Sequence, residues 1–115
     1  MPVAIGEQVR FLCLCEGGIV RSSALASVLR WEFGQDALAA SAEKNAPETI
    51  AMLCEWANYV IVMQPRFAGA VPARYAHKVH VLDVGPDVWK NPLHPELLTI
   101  VGDAAEKWRD RGWQP

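Results

Sequence analysis

Residues Tyr59-Val-Ile-Val-Met63 are apolar at every position, and a strand of that kind is stable only where both its faces are covered. Parallel sheets layered between crossover helices provide that cover. The rest of the chain supplies the pattern. Val9 to Leu14 reads as strand one, and Ser22 to Phe33 as a helix closed by Gly34, with Leu25, Val28 and Leu29 as its apolar stripe. Ala37 to Ala40 reads as a short strand two. Pro47 suits the first turn of helix two, whose stripe is Ile50, Leu53, Cys54 and Ala57. After strand three, Gln64 to Ala76 reads as a loop with at most one helical turn, and Lys78 to Leu82 as strand four. Pro95 opens the last helix, with Leu97, Leu98, Val101, Ala105 and Trp108 inward and Arg109-Asp-Arg-Gly112 at its end. The expected fold is α/β, a three-layer sandwich with a central four-stranded parallel sheet, in a single domain over residues 1–115.

Composition narrows the function. The 115 residues are 51% hydrophobic, which suits one core. Eleven Lys and Arg against 13 Asp and Glu give a formal net charge of −2, so no basic surface is expected for nucleic acid, and an acidic substrate has to be captured by a local site. No apolar run has the length of a membrane span and the N-terminus lacks a signal-peptide pattern, so the expectation is a cytoplasmic chain with no membrane partner. Three cysteines, Cys13, Cys15 and Cys54, suggest neither a disulfide framework nor a zinc site. Cys13 and Cys54 read as small buried residues; the sharper alternative is that one of them protects Cys15 through a reversible disulfide. His77, His80 and His94 have no mutual metal spacing. Trp31, Trp56, Trp108 and Trp113 read as structural.

The chemistry concentrates where strand one gives way to helix one, in Phe11-Leu-Cys-Leu-Cys-Glu-Gly-Gly-Ile-Val-Arg-Ser-Ser. A short loop between a strand and a helix N-terminus directs backbone N–H groups inward and adds partial positive charge, which suits a phosphate-like dianion. Glu16, Gly17, Gly18, Ile19 and Val20 form that cradle, and the glycines permit the turn. A cysteine at its start shares the field, which favours the thiolate, and Arg21 adds a planar charged fork able to hold two oxygens of the same anion.

Cys15-Glu-Gly-Gly-Ile-Val-Arg-Ser resembles the phosphate-binding loop of the low-molecular-weight protein tyrosine phosphatases, commonly C-x-G-N-x-x-R-S. Gly18 stands where the family usually has asparagine and Ser23 where it often has proline. A second stretch, Val81-Leu-Asp-Val-Gly-Pro-Asp-Val-Trp-Lys-Asn-Pro-Leu-His-Pro-Glu-Leu-Leu, is similar to the late segment of the compact branch known as predicted tyrosine phosphatases. The larger members carry an Asp-Pro-aromatic general acid there, and Asp87-Val-Trp89 is the nearest equivalent.

The resemblance implies a cysteine-dependent phosphatase whose phosphate loop joins strand one to helix one. Cys15 would attack phosphorus, the loop amides and Arg21 would hold the equatorial oxygens, and Ser22 would donate to the sulfur. Asp87 is the expected general acid, with Asp83 its competitor and otherwise a turn-closing residue. Trp89 would stack on a phenyl ring. No metal or cofactor is called for, and the expected partner is a phosphorylated protein, most plausibly on tyrosine, or a small phosphomonoester. Three other functions use the same residues: a phospho-ligand binding module without turnover, a thiol-dependent arsenate reductase, and a cysteine-loop sugar phosphocarrier. The reductase would need a resolving cysteine, and Cys54 sits in a helical pattern. The phosphocarrier has little use for Arg21. Arg66, just after strand three, is a further candidate for the anion site, against the plainer reading of a solvated loop arginine.

Overall fold

A computed structural model describes residues 8–17 and 19–115. Gly18, expected in the phosphate cradle, lies outside the described residues. The elements are β1 (Arg10–Cys15), α1 (Val20–Trp31), β2 (Asp36–Ser41), α2 (Pro47–Trp56), β3 (Tyr59–Val62), β4 (Val79–Val81) and α3 (Pro95–Asp110). All four strands are parallel, in the order β2-β1-β3-β4. The chain steps from β1 to β2 on one side and from β2 back across to β3 on the other. Right-handed crossovers therefore place α1 and α2 on opposite faces of the sheet, and α3 packs beside α1. The expected three-layer α/β sandwich with a four-stranded parallel sheet is the one observed.

The double cover is visible in the burial. Phe11, Leu12, Cys13 and Leu14 of β1 and Val60, Ile61 and Val62 of β3 are all fully buried, as the unbroken apolar runs require. Beneath the N-terminal end of β1, Phe11 gathers Tyr59, Trp108 and Trp113 at ring separations of 5.7, 5.9 and 6.0 Å. Lys78 closes α2, its Nζ donating to the carbonyls of Cys54, Glu55 and Ala57.

Three expectations change. α1 begins at Val20 rather than Ser22, so Arg21 belongs to its first turn. The segment after β3 forms two 3-10 turns, Pro65–Ala70 and Ala73–Lys78, because Pro65 occupies the first position of one and Pro72 caps the other. Trp31 is not a core group; it is 79% exposed at the end of α1, beyond the stripe that Leu25, Val28 and Leu29 bury. It borders a groove of about 600 Å³ between α1 and α3 that shares no lining residue with the Cys15 loop. Among the described residues, no helix is long and apolar enough to cross a membrane.

The contrast between two tryptophans can be measured. Trp108→Ala removes a side chain packed on Phe11 and should cost about 3–5 kcal/mol. Trp31→Ala should change stability by less than about 0.5 kcal/mol. Urea unfolding of the two variants checks both, and equal losses would contradict this packing.

Candidate active site

In an all-parallel sheet the loops that follow the strands emerge at one edge. The β1–α1 loop, the turn after β2, Gln64 after β3 and the Asp83–Trp89 segment after β4 all leave that edge. Main-chain bonds set the first of these. Ala42 N–H donates to Cys15 O at 2.8 Å, Met63 N–H to Leu14 O at 3.0 Å, and Ile19 N–H to Glu16 O at 3.0 Å, which closes the loop turn. Ile19 has φ 46°, in the left-handed region that a β-branched residue rarely adopts. Such strain costs on the order of 1–3 kcal/mol and is characteristic of functional loops. At Gly17 the Lys44 side chain crosses the backbone so closely that a Cβ would collide with it.

Cys15 ends β1 with its sulfur among donors. Ser22 Oγ lies 3.0 Å from Sγ, and Ser22 N–H donates to Sγ at 3.4 Å, both from the first turn of α1. Either atom of the Oγ–Sγ contact can donate, since Ser22 Oγ also reaches Ile19 O at 3.3 Å and Sγ reaches Glu16 O at 3.6 Å. Cys13 and Cys54 are placed differently. Both are fully buried, and burial pushes both thiols up; the neighbouring Cys15 adds to the effect at Cys13, while Lys78 and Arg74 partly offset it at Cys54.

Arg21 is the centre of the arrangement and is completely buried. Its place in the first turn of α1 tilts the side chain back over the loop. Nη1 donates to Gln64 Oε1 at 2.6 Å and to the Gly85 carbonyl at 2.8 Å, and the guanidinium carbon lies 5.4 Å from the centre of the Phe67 ring. Nε and Nη2 are buried without a hydrogen-bond partner among the described residues. The carboxylate nearest to them is Glu16, with Oε1 3.8 Å from Nη2. Glu16 is itself paired with Arg66, which also reaches Glu43 at 3.3 Å and stacks on Phe67. Glu16 thus stands between two arginines at this edge of the sheet, and Cys15, at the start of the same loop, is 1% exposed.

The expected residues thus divide. Cys15, Arg21, Ser22, Glu16, Gly17, Ile19 and Val20 come together as one loop and helix start. The β4 loop joins them through its main chain at Gly85, between Asp83 and Asp87. Asp83 closes the turn, its Oδ1 accepting from Gly85 N–H at 2.9 Å. Asp87 is exposed and makes no hydrogen bond among the described residues. Trp89 packs its ring on His94 at 5.2 Å, and His94 caps α3 by accepting from Glu96 N–H. Gln64 and Phe67, which hold Arg21, are not marked by any motif in the sequence; their place just past an apolar strand is the one trace they leave there. Among the described residues, no group of three or more His, Cys, Asp or Glu side chains is arranged to hold a metal ion.

The fold, a 2-1-3-4 parallel sheet between helices, has counterparts among solved structures. One is the Vibrio vulnificus protein Wzb in complex with benzylphosphonate, with a TM-score of 0.71 and 15% identity over 91% of this chain and 99% of that one. The fold is that of the low-molecular-weight tyrosine phosphatases. The tyrosine phosphatase AmsI of Erwinia amylovora gives a TM-score of 0.71 at 14% identity, covering 96% of this chain and 98% of that one. The arginine phosphatase YwlE of Geobacillus stearothermophilus gives 0.66 at 17% identity, covering 90% and 94%. No profile of a known family and no curated protein matches the sequence itself. The phosphatase fold is therefore carried here by a sequence far from those of its structural counterparts.

Thiol reactivity reads out the sulfur's surroundings. Iodoacetamide at neutral pH should modify Cys15, which ends β1 at the loop edge, well before Cys13 within the sheet and Cys54 within α2. Ser22→Ala should slow that modification about tenfold, the effect of losing roughly 1.4 kcal/mol of hydrogen bonding to a charged group. Mass spectrometry of the labelled protein checks this; Cys54 labelling as fast as Cys15 would contradict it.

Proposed function

We propose that this protein hydrolyses phosphomonoesters through a phosphocysteine intermediate on Cys15. The observation that carries the proposal is the pairing of a donor-supported sulfur, 3.0 Å from Ser22 Oγ, with a buried guanidinium whose Nε and Nη2 edge is turned to the same loop. A thiolate attacks phosphorus while the guanidinium edge and the loop amides stabilise the charge that spreads over the equatorial oxygens. The P–S bond forms as the P–O ester bond breaks, and a carboxylic acid protonates the departing oxygen. The resulting carboxylate activates water, which releases phosphate and restores the thiolate. Ser22 stabilises the thiolate as the leaving group of that second step.

Asp87 is the proposed acid, since its carboxylate is uncommitted, whereas Asp83 closes the Gly85 turn. A phosphotyrosine residue on a protein is the proposed substrate, supported by the fold shared with the tyrosine phosphatase AmsI; Trp89 would have to leave His94 to stack on its ring. The burial of Cys15 also favours a second reading, a phospho-ligand binder with little turnover.

Cys15→Ser separates the two readings. It should abolish hydrolysis of an aryl phosphate and preserve vanadate binding; wild-type protein that binds vanadate without hydrolysing the ester would be a binder, and unchanged hydrolysis in the variant would exclude this mechanism. The acid is tested by leaving group. Asp87→Asn should slow phosphotyrosine hydrolysis by on the order of 10²-fold and a nitrophenyl phosphate far less, because an acidic leaving group departs without protonation. Asp83→Asn should lower both rates alike. The reverse pattern would transfer the role to Asp83.

A further inference from the structure

Arg21 is pinned on one side only. Both contacts that fix its plane are made by Nη1, and both acceptors are neutral, the Gln64 side-chain oxygen at 2.6 Å and the Gly85 carbonyl at 2.8 Å. A guanidinium is rigid, so two acceptors on one nitrogen set the direction of the opposite edge. That edge, Nε with Nη2, is turned to the loop, as the 3.8 Å approach of Glu16 to Nη2 shows. We infer that Gln64 is the positioning residue of the anion clamp, and that its neutrality is the property that matters. A carboxylate in its place would make the same contact and add a second negative charge beside that of Glu16, whereas an amide orients the fork without adding any charge that an oxyanion would have to compete with.

The backbone explains how one flexible glutamine holds a rigid group. Gln64 lies one residue beyond β3, after Met63, and precedes Pro65, whose ring confines the preceding residue to extended conformations. Its φ of −152° and ψ of 151° lie in that region, and its carbonyl accepts from Phe67 N–H at 3.1 Å, which seats Phe67 near the guanidinium. The side chain therefore leaves from a fixed point beside the loop of β1. This assignment rests on the reading of Arg21 as a phosphoryl clamp.

The test uses inorganic phosphate as the probe and follows the Arg21 Nε–H resonance together with calorimetric affinity and aryl phosphate turnover. In the wild-type protein, phosphate should shift that resonance. Gln64→Glu should fold with unchanged stability and bind phosphate at least tenfold more weakly, with KM raised in proportion. Gln64→Met keeps the volume without the acceptor; it should displace the Nε–H resonance in the absence of phosphate and lower kcat more than it raises KM. Phosphate affinity within twofold of wild type in Gln64→Glu, with wild-type binding and turnover intact, would overturn the assignment and leave the phosphatase reading standing. If Gln64→Glu does not fold, Gln64→Met decides, and an unmoved resonance with unchanged kinetics overturns the assignment. Wild-type protein that shows neither phosphate binding nor turnover would overturn both.

Discussion

A guanidinium withdrawn entirely from water is the constraint around which this fold is arranged at its carboxyl edge. Moving a charge of that size from solvent into a protein costs several kcal/mol even after relaxation, and the loss is recovered only where donors and acceptors meet it with good geometry. Arg21 obtains its partners from three strands at once: Gln64 after β3, the Gly85 carbonyl after β4 and the Glu16 carboxylate after β1. The Phe67 ring completes the surroundings on one face. The loops converge because each brings a group this charge requires. The sulfur of Cys15 is placed by the same helix turn, through Ser22, so the proposed clamp and the proposed nucleophile share one origin.

The layered sheet could be read from the sequence because apolar runs such as Tyr59–Met63 leave few other options for a chain with amphipathic helices between them. Cys15, Arg21 and Ser22 could be read because they lie within eight consecutive residues at a strand-to-helix junction. The partners of Arg21 could not, since they come from 43 and 64 positions further along and one of them is a main-chain oxygen with no residue signature. The left-handed Ile19 was hidden for another reason: neighbouring glycines are the usual bearers of positive φ, so a β-branched residue is not where composition directs attention. Trp31 misled because its size was weighed above its position on the helix; it falls past the last turn of the buried stripe.

Glu16 stands between two cations. Its carboxylate lies 3.8 Å from the buried Arg21 Nη2, and the half-exposed Arg66 pairs with it from the other side while stacking on Phe67. On the proposed function an arriving oxyanion would compete with Glu16 for one edge of the fork and Arg66 would keep the displaced carboxylate, so that one paired anion would be exchanged for another without leaving the buried charge alone.

Arg21 reads the β4 loop through a carbonyl of Gly85, a residue whose φ of +81° already favours glycine. Nothing in that contact depends on which side chains flank it. Residues 86 to 89 are thereby released from supporting Arg21, and on the proposed function mutations among them would alter what surrounds an incoming phosphate while the anchoring bond persists. A small scaffold of this design could then drift toward new substrates along that one segment without first having to rebuild its charge-holding centre.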